Sequence, residues 1–244
     1  MPRPLYPATL TAKHQLSQNT VQLDFRVEAG FDYQPGQFVQ LHLSFKGQDY
    51  KRSYSIANSP ESFQSSQQLE IAISFVKGGV ASSLFSEAEP GLELSIGGPF
   101  GVLTAPEHFD GRIVLAGTGT GLAPYRAMIP ALKKLVGEGT RILIMMGVRD
   151  RADMIYEQDF RDLAALSESI EYRACYSREK SLNSSANEYP GYLQNQFPQL
   201  NLSPEKDLVY LCGNPAMIDD ASAELKELGF GPRQVKREKY VFSS

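Results

Sequence analysis

Three short stretches of the chain hold residues whose types and spacing could do chemistry. The first is Gly117-Thr118-Gly119-Thr120-Gly121-Leu122-Ala123-Pro124, set directly between an apolar strand candidate and a helix candidate. Glycines there would let the backbone approach a pyrophosphate, and a helix N-terminus would supply unpaired N–H groups and the positive end of a dipole. An open α/β sheet binds a dinucleotide at such a place. The spacing departs from the usual G-x-G-x-x-G because Pro124 stands where the helix begins, and a plain tight turn is the ordinary alternative. The second stretch is Lys51-Arg52-Ser53-Tyr54-Ser55-Ile56-Ala57-Asn58. An Arg can grip a pyrophosphate bidentately. An aromatic two residues on shares its strand face, and a neighbouring Ser can hydrogen-bond a ring nitrogen. The same run also suits an edge strand with a solvated Arg. The third is Lys77-Gly78-Gly79-Val80-Ala81-Ser82-Ser83-Leu84, a second Gly-rich turn before a short helix and a second candidate anion site. Two phosphate-type sites suggest two dinucleotides.

These stretches lie on two kinds of scaffold. In the first hundred residues, Val21–Val27, Gln37–Leu43 and Leu69–Val76 alternate β-branched or aromatic residues with polar ones. Gly30, Pro35-Gly36, Gly47, Asn58-Ser59-Pro60 and Pro90-Gly91 punctuate them, which predicts a small antiparallel barrel. After Asp110-Gly111 the pattern changes. Strands are predicted at 112–116, 141–146, 170–176, 207–212 and 234–240, and helices at 122–136, 156–166 and 215–228. Alternation of buried strands with helices predicts a parallel sheet covered on both faces. The fold class expected is therefore a two-domain protein: an antiparallel β-barrel over residues 1–105 and a parallel-sheet α/β domain over 106–244.

Composition narrows the field. The chain has 244 residues, 42% hydrophobic and 21% charged, as a packed globule requires. No apolar run reaches the roughly 20 residues that span a bilayer, and the N-terminus lacks the apolar stretch of a secretory signal. The two cysteines, Cys175 and Cys212, fit a reducing cytoplasm and are too few for a four-thiolate iron–sulfur cluster. Three histidines make a His-rich metal site improbable, and no metal is expected. A net charge of −4 argues against general nucleic-acid binding.

The motifs together resemble the ferredoxin–NADP reductase-like family over nearly the whole length. Arg52, Tyr54 and Ser55 match the family's Arg-x-Tyr-Ser motif, which implies bound FAD. Arg52 would then hold the pyrophosphate, Tyr54 would flank the isoalloxazine with Ser53 beside it, and Ser55 would face flavin N5. Gly79, Val80, Ala81 and Ser82 match the second flavin-phosphate turn. Gly98-Pro99-Phe100-Gly101 resembles the Gly-Pro-x-Gly that closes the barrel. Gly117 to Pro124, with Thr118, Gly119 and Thr120 as ligands, matches the plant-type nucleotide turn. Cys212-Gly213-Asn214-Pro215-Ala216-Met217 matches a signature whose Cys lies near the nicotinamide. The ordinary alternative for Cys212 is a small buried hydrophobe at a strand end.

A 2′-phosphate needs cationic and hydroxyl donors, whereas a bare ribose usually meets a carboxylate. Ser177 and Arg178 resemble the family's 2′-phosphate motif. Arg149 matches an Arg with the same task in bacterial members, and Tyr192 matches a Tyr that stacks on the adenosine end in plant-type members. NADPH is the nucleotide expected. The ordinary alternatives are ion pairs of Arg149 with Asp150 or Asp153 and of Arg178 with Glu179. Glu238 to Tyr240 matches the family's Glu-x-Tyr end, but four residues follow, so either Tyr240 or Phe242 is the ring expected over the isoalloxazine. Ser55, Cys212 and Tyr240 are the residues assigned to catalysis. The resemblance implies hydride transfer from NADPH to FAD and single electrons onward to an acidic ferredoxin or flavodoxin, in either direction, by a cytoplasmic monomer. Lys46, Lys51, Lys236, Arg237 and Lys239 are the candidate docking charges. A free-flavin or ferric reductase, a stand-alone oxygenase reductase and a non-catalytic nucleotide sensor are the competing readings.

Overall fold

The structure, a computed structural model, describes residues 4–183 and 186–240. These divide into two compact units, one of residues 4–104 and 123–128 and one of residues 105–122 and 129–240.

The first unit contains β1 (Leu5–Ser17), β2 (Thr20–Val27), β3 (Phe38–Phe45), β4 (Gln48–Ser55), β5 (Gln68–Ser74) and β6 (Glu93–Phe100). They form one antiparallel sheet in the order β4-β3-β6-β1-β2-β5. The two edges meet. Ile56 bridges Ile71, and the Ala57 N–H donates to the Glu70 carbonyl at 2.7 Å, so the sheet curls into a barrel and its edges are shielded. Alternation explains the core: Leu23 and Phe25 from β2, Leu69 and Ile71 from β5, and Leu41 from β3 all point inward. Asn58 fastens the closure. Its Nδ2 donates to the Gln68 carbonyl at 2.8 Å, and its Oδ1 accepts from the Glu70 N–H at 3.0 Å.

Three helices ride on this barrel. Pro60–Ser66 is α1, started by a Ser59 cap. Val80–Glu87 is α2, anchored by Phe85 against Phe25 with ring centroids 6.3 Å apart. Lys13 closes its far end, donating to the carbonyls of Phe85, Ser86 and Ala88. Ala123–Ala127 is α3, tied down by Arg126 Nη1, which donates to Glu70 at 2.6 Å and to the Ala57 carbonyl at 3.0 Å.

The second unit holds β7 (Arg112–Thr118), α4 (Ile129–Gly137), β8 (Arg141–Val148), α5 (Glu157–Ala165), β9 (Ile170–Tyr176), β10 (Glu188–Pro190), β11 (Asp207–Gly213), α6 (Pro215–Glu227) and β12 (Val235–Lys239). All six strands run parallel, in the order β10-β9-β8-β7-β11-β12. β7, β8 and β11 are almost continuously buried apolar runs, as a sheet covered on both faces demands.

The fold class expected from the sequence is the one observed. One element is corrected: the single helix expected over 122–136 is broken at Met128 into α3 and α4, and Leu122 belongs to a preceding 3-10 turn, Gly119–Leu122. Pro130 is the reason. It has no N–H for the Arg126 carbonyl, and its ring would collide with that carbonyl in a continuous helix.

Asn58→Ala is expected to lower stability by about 1–2 kcal/mol, because two part-buried backbone groups lose their partner. Urea denaturation checks this, and an unshifted midpoint would contradict the role given to Asn58 in closing the barrel.

Candidate cofactor-binding site

In the first unit β4 pairs with β3 in the register Leu41 to Arg52, Val39 to Tyr54 and Phe38 to Ser55. Alternation puts Arg52 and Tyr54 on one face, both half-buried, and Ser53 and Ser55 on the other, exposed and buried respectively. Arg52 spends one N–H on the Lys51 carbonyl at 2.9 Å and lies over the Tyr50 ring. It has no carboxylate partner among the described residues, so most of its five donors remain for a ligand. Burial pushes the Tyr54 phenol up to about 12, so it stays a neutral donor across the ordinary pH range. α2 packs on β3, the ladder partner of β4. It begins at Gly79 with no side-chain cap, so the first-turn N–H groups that an anion could fill are not consumed. A Cβ on Gly79 would stand 2.7 Å from Val76 Cγ2. Ser82 Oγ accepts from the Val76 N–H at 2.8 Å, which leaves its own hydroxyl proton to donate. A pyrophosphate fits this donor set.

In the second unit the chain leaves β7 for β8, β9 and β10 on one side and later returns to β11 and β12 on the other. The topological switch point therefore lies between β7 and β11, where α/β sheets bind nucleotides outside the strand carboxyl ends. Two turns flank it. Gly117 and Thr118 still belong to β7, and Gly119 follows with φ +53° and open space where a Cβ would be. A Cβ on Gly121 would stand 2.3 Å from the Cys212 carbonyl oxygen. Gly213, at φ +118°, would place one 2.5 Å from Thr118 Oγ1. The Asn214 N–H donates to Thr118 Oγ1 at 2.9 Å, and Asn214 Oδ1 caps α6 by accepting from Ala216 and Met217. The cradle is thus backbone on backbone, with room above Gly119, as a close-lying dinucleotide requires.

Cys212 is fully buried. Desolvation pushes its thiol well above the usual range, Glu238 adds to that, and a hydrogen bond from Tyr240 opposes it. It is a neutral thiol, not a thiolate. Tyr240 spans the switch point: its N–H donates to the Gly213 carbonyl at 3.0 Å and its hydroxyl to the Thr120 carbonyl at 3.2 Å. Phe242 lies outside the described residues.

Arg149, Ser177 and Arg178 come together where β8 and β9 end. The Arg178 N–H donates to the Arg149 carbonyl at 2.8 Å, and the Ser177 N–H to the Val148 carbonyl at 3.0 Å. The ion pair weighed for Arg149 is present, with Asp153. The pair weighed for Arg178 is not: Arg178 is exposed, and Glu179 lies 3.9 Å from Arg151 instead. Tyr192 is 64% exposed, and the neighbouring Gly191 N–H donates to the Tyr176 carbonyl at the end of β9.

Sequence reasoning missed Arg151 and Glu188. The buried Glu188 carboxylate takes both terminal nitrogens of Arg151 and the Asn183 N–H at 2.7 Å, while Arg151 also holds the Ser181 carbonyl at 3.0 Å. This clasp ties Ser181 and Asn183, downstream of Ser177 and Arg178, to the end of β8. Their separation of 37 positions gave no local signal. Asn214 was overlooked as a cap, although an Asn directly before a Pro marks a helix start.

Residues 7–104 match the family model of an oxidoreductase FAD-binding domain, and residues 115–223 that of an oxidoreductase NAD-binding domain. Ferredoxin–NADP reductase B of Sorangium cellulosum (strain So ce56) is 31% identical over 240 residues, covering 95% of this chain and 94% of its own. The chain belongs to the ferredoxin–NADP reductase-like family. As a member it is an oxidoreductase that uses FAD and a nicotinamide nucleotide to transfer electrons. The toluate 1,2-dioxygenase electron transfer component of Pseudomonas putida is 30% identical over 244 residues, which is 98% of this chain but 68% of that one. Among solved structures, a ferredoxin NADP+ reductase from Neisseria gonorrhoeae with bound FAD and NADP superposes with a TM-score of 0.84 over 97% of this chain and 99% of its own, at 18% identity; that likeness shows the family fold. Among the described residues no helix is long and apolar enough to cross a membrane.

Hydrogen bonds from Arg151 hold the Glu188 carboxyl down at about 2, from an ordinary 4.5. A depressed carboxyl stabilises the fold above its unfolded value, and that stabilisation drains away as pH falls from about 4.5 towards 2. Wild-type protein is expected to lose stability over that window, and Glu188→Gln to lose less. Denaturation midpoints across the acid range measure it; parallel curves would contradict the clasp.

Proposed function

We propose that this family member takes hydride from NADPH and delivers electrons singly to a small acidic ferredoxin or flavodoxin. One observation carries the nucleotide choice: Ser177 and the exposed Arg178, which has no carboxylate partner among the described residues, stand beside Arg149 at the ends of β8 and β9. That set offers a hydroxyl and guanidinium donors to a 2′-phosphate, whereas a bare ribose would call for a carboxylate acceptor.

FAD, when bound, supplies the chemistry, accepting two electrons as hydride and releasing them one at a time. The chain's own residues bind and orient. Arg52 and the first turn of α2, Gly79 to Ser82, are assigned to the flavin pyrophosphate. Tyr54, with Ser53 beside it, is assigned to flank the isoalloxazine, and the buried Ser55 hydroxyl to face N5. Thr118, Gly119, Thr120 and Gly213 are assigned to the nucleotide pyrophosphate and ribose, and Tyr192 to the adenine face. Cys212, a neutral thiol, packs at the nicotinamide end and takes no nucleophilic part. Tyr240 is assigned to guard that end, since it already spans the Thr120 and Gly213 turns.

Two of the candidate docking charges are engaged within the chain. Lys239 pairs with Asp219, and the half-buried Lys236 lies over the Tyr210 ring. Lys46, Lys51 and Arg237 are the exposed set assigned to an acidic partner. A second reading, a reductase serving an oxygenase, is favoured by the toluate dioxygenase component among the relatives.

The nucleotide choice is tested by kcat/KM for NADPH and NADH with excess ferricyanide. NADPH is expected to be preferred, and Arg178→Ala to lower kcat/KM for NADPH about 10-fold or more, the worth of one charge-assisted hydrogen bond, with NADH little changed. Equal effects on both would sink the 2′-phosphate assignment, and a wild-type preference for NADH would favour the oxygenase-type reading. Ferredoxin or flavodoxin reduction is expected to slow steeply as salt rises from 0.05 to about 0.5 M; a flat salt profile would contradict charge-guided docking.

A further inference from the structure

Two arginines stand where β8 ends, and they are spent differently. Arg151 has its terminal edge closed, both Nη atoms going to Glu188, and its guanidinium lies over the Tyr176 ring. Arg149 is held from the side: Nε donates to Asp153 Oδ2 at 2.8 Å and Nη2 to Asp153 Oδ1 at 3.3 Å. A guanidinium has five N–H groups, and this pairing uses two. The whole of Nη1 and one proton of Nη2 remain, and they form the terminal edge. Asp153 therefore leaves open the edge that a phosphate would take.

The carboxylate is itself fixed. The 3-10 turn Arg151–Asp153 brings it back over Arg149, with the Asp150 side chain accepting from the Ala152 N–H at 3.1 Å and the Asp153 N–H donating to the Asp150 carbonyl at 3.2 Å. Asp153 is mostly covered, its side chain 19% exposed against 55% for Arg149. The Arg149 carbonyl accepts the Arg178 N–H, so the backbone of this turn is also tied to the segment bearing Ser177 and Arg178.

We infer that Asp153 is a specificity-determining positioning residue, which holds Arg149 by the side edge so that its terminal edge is preset for the 2′-phosphate of NADP. The inference rests on the 2′-phosphate reading above. A free Arg would have to surrender the freedom of a long side chain on binding, and one already clamped has surrendered it in folding. The negative charge of Asp153 opposes a phosphate, but it sits on a different edge of the guanidinium and is screened by the cation between them.

The test is calorimetric binding of NADP+ and NAD+ to the FAD-loaded protein. Asp153→Ala is expected to weaken NADP+ about 3- to 10-fold, the loss of one preset side chain, and to leave NAD+ within about 2-fold. Asp153→Asn, which keeps a carbonyl acceptor for Nε without the charge, is expected to recover most of the loss. Unchanged or tighter NADP+ binding in Asp153→Ala would overturn the inference, tighter binding making Asp153 a competitor for the arginine. Arg149→Ala separates the two levels. If it weakens NADP+ alone while Asp153→Ala does nothing, only the inference falls. If it leaves NADP+ unchanged, the 2′-phosphate role of Arg149 falls and the inference with it.

Discussion

Two backbones approach each other at the carboxyl ends of β7 and β11 more closely than any side chain would allow. A methyl on Gly121 would stand 2.3 Å from the Cys212 carbonyl, and one on Gly213 2.5 Å from Thr118 Oγ1. This packing draws the turn after β7 and the turn after β11 together at the point where the sheet changes direction. It sets Thr118 to accept from Asn214, leaves the space above Gly119 open, and gives Tyr240 two turns to span. The candidate nucleotide cradle of the second unit is therefore made mostly of main chain, whose reach does not depend on rotamers.

The candidate flavin site of the first unit is built differently. A closed barrel supplies a rigid wall, and the candidate flavin ligands are concentrated on one strand and one helix start. Alternation along β4 is enough to separate Arg52 and Tyr54 from Ser55. α2 is pinned through its C-terminal half by groups far away in sequence, Phe25 against its own Phe85 and Lys13 on the last carbonyls, while its first turn carries no side-chain cap. Both units thus place N–H donors by fixing backbone.

Much of this was readable in the sequence. Glycines with hydroxyl residues between a strand and a helix, and an Arg two positions before a Tyr on a strand, carry their reasons in their types and spacing. Other elements were hidden for identifiable reasons. β1 loses its alternation at a bulge near Thr11 and contains Pro7, so it does not read as a strand. β6 contains Gly97-Gly98-Pro99, which reads as a turn. Pro130 did announce the break between α3 and α4, but apolar periodicity on either side concealed it. The state of each charge was the least legible feature. Spacing nominated Arg149 and Arg178 alike, and only the fold shows that one is clamped by Asp153 while the other has no carboxylate partner among the described residues, or that Glu188 reaches back to Arg151.

We propose that this chain carries electrons from a reduced, 2′-phosphorylated nicotinamide nucleotide to its FAD. Anaerobic addition of one equivalent of NADPH to the FAD-loaded protein, followed by visible absorption in a stopped-flow instrument, tests it most directly. The account predicts rapid bleaching of the flavin by NADPH and much slower bleaching by NADH. Protein that retains no FAD, or bound FAD that neither nucleotide bleaches, would contradict it.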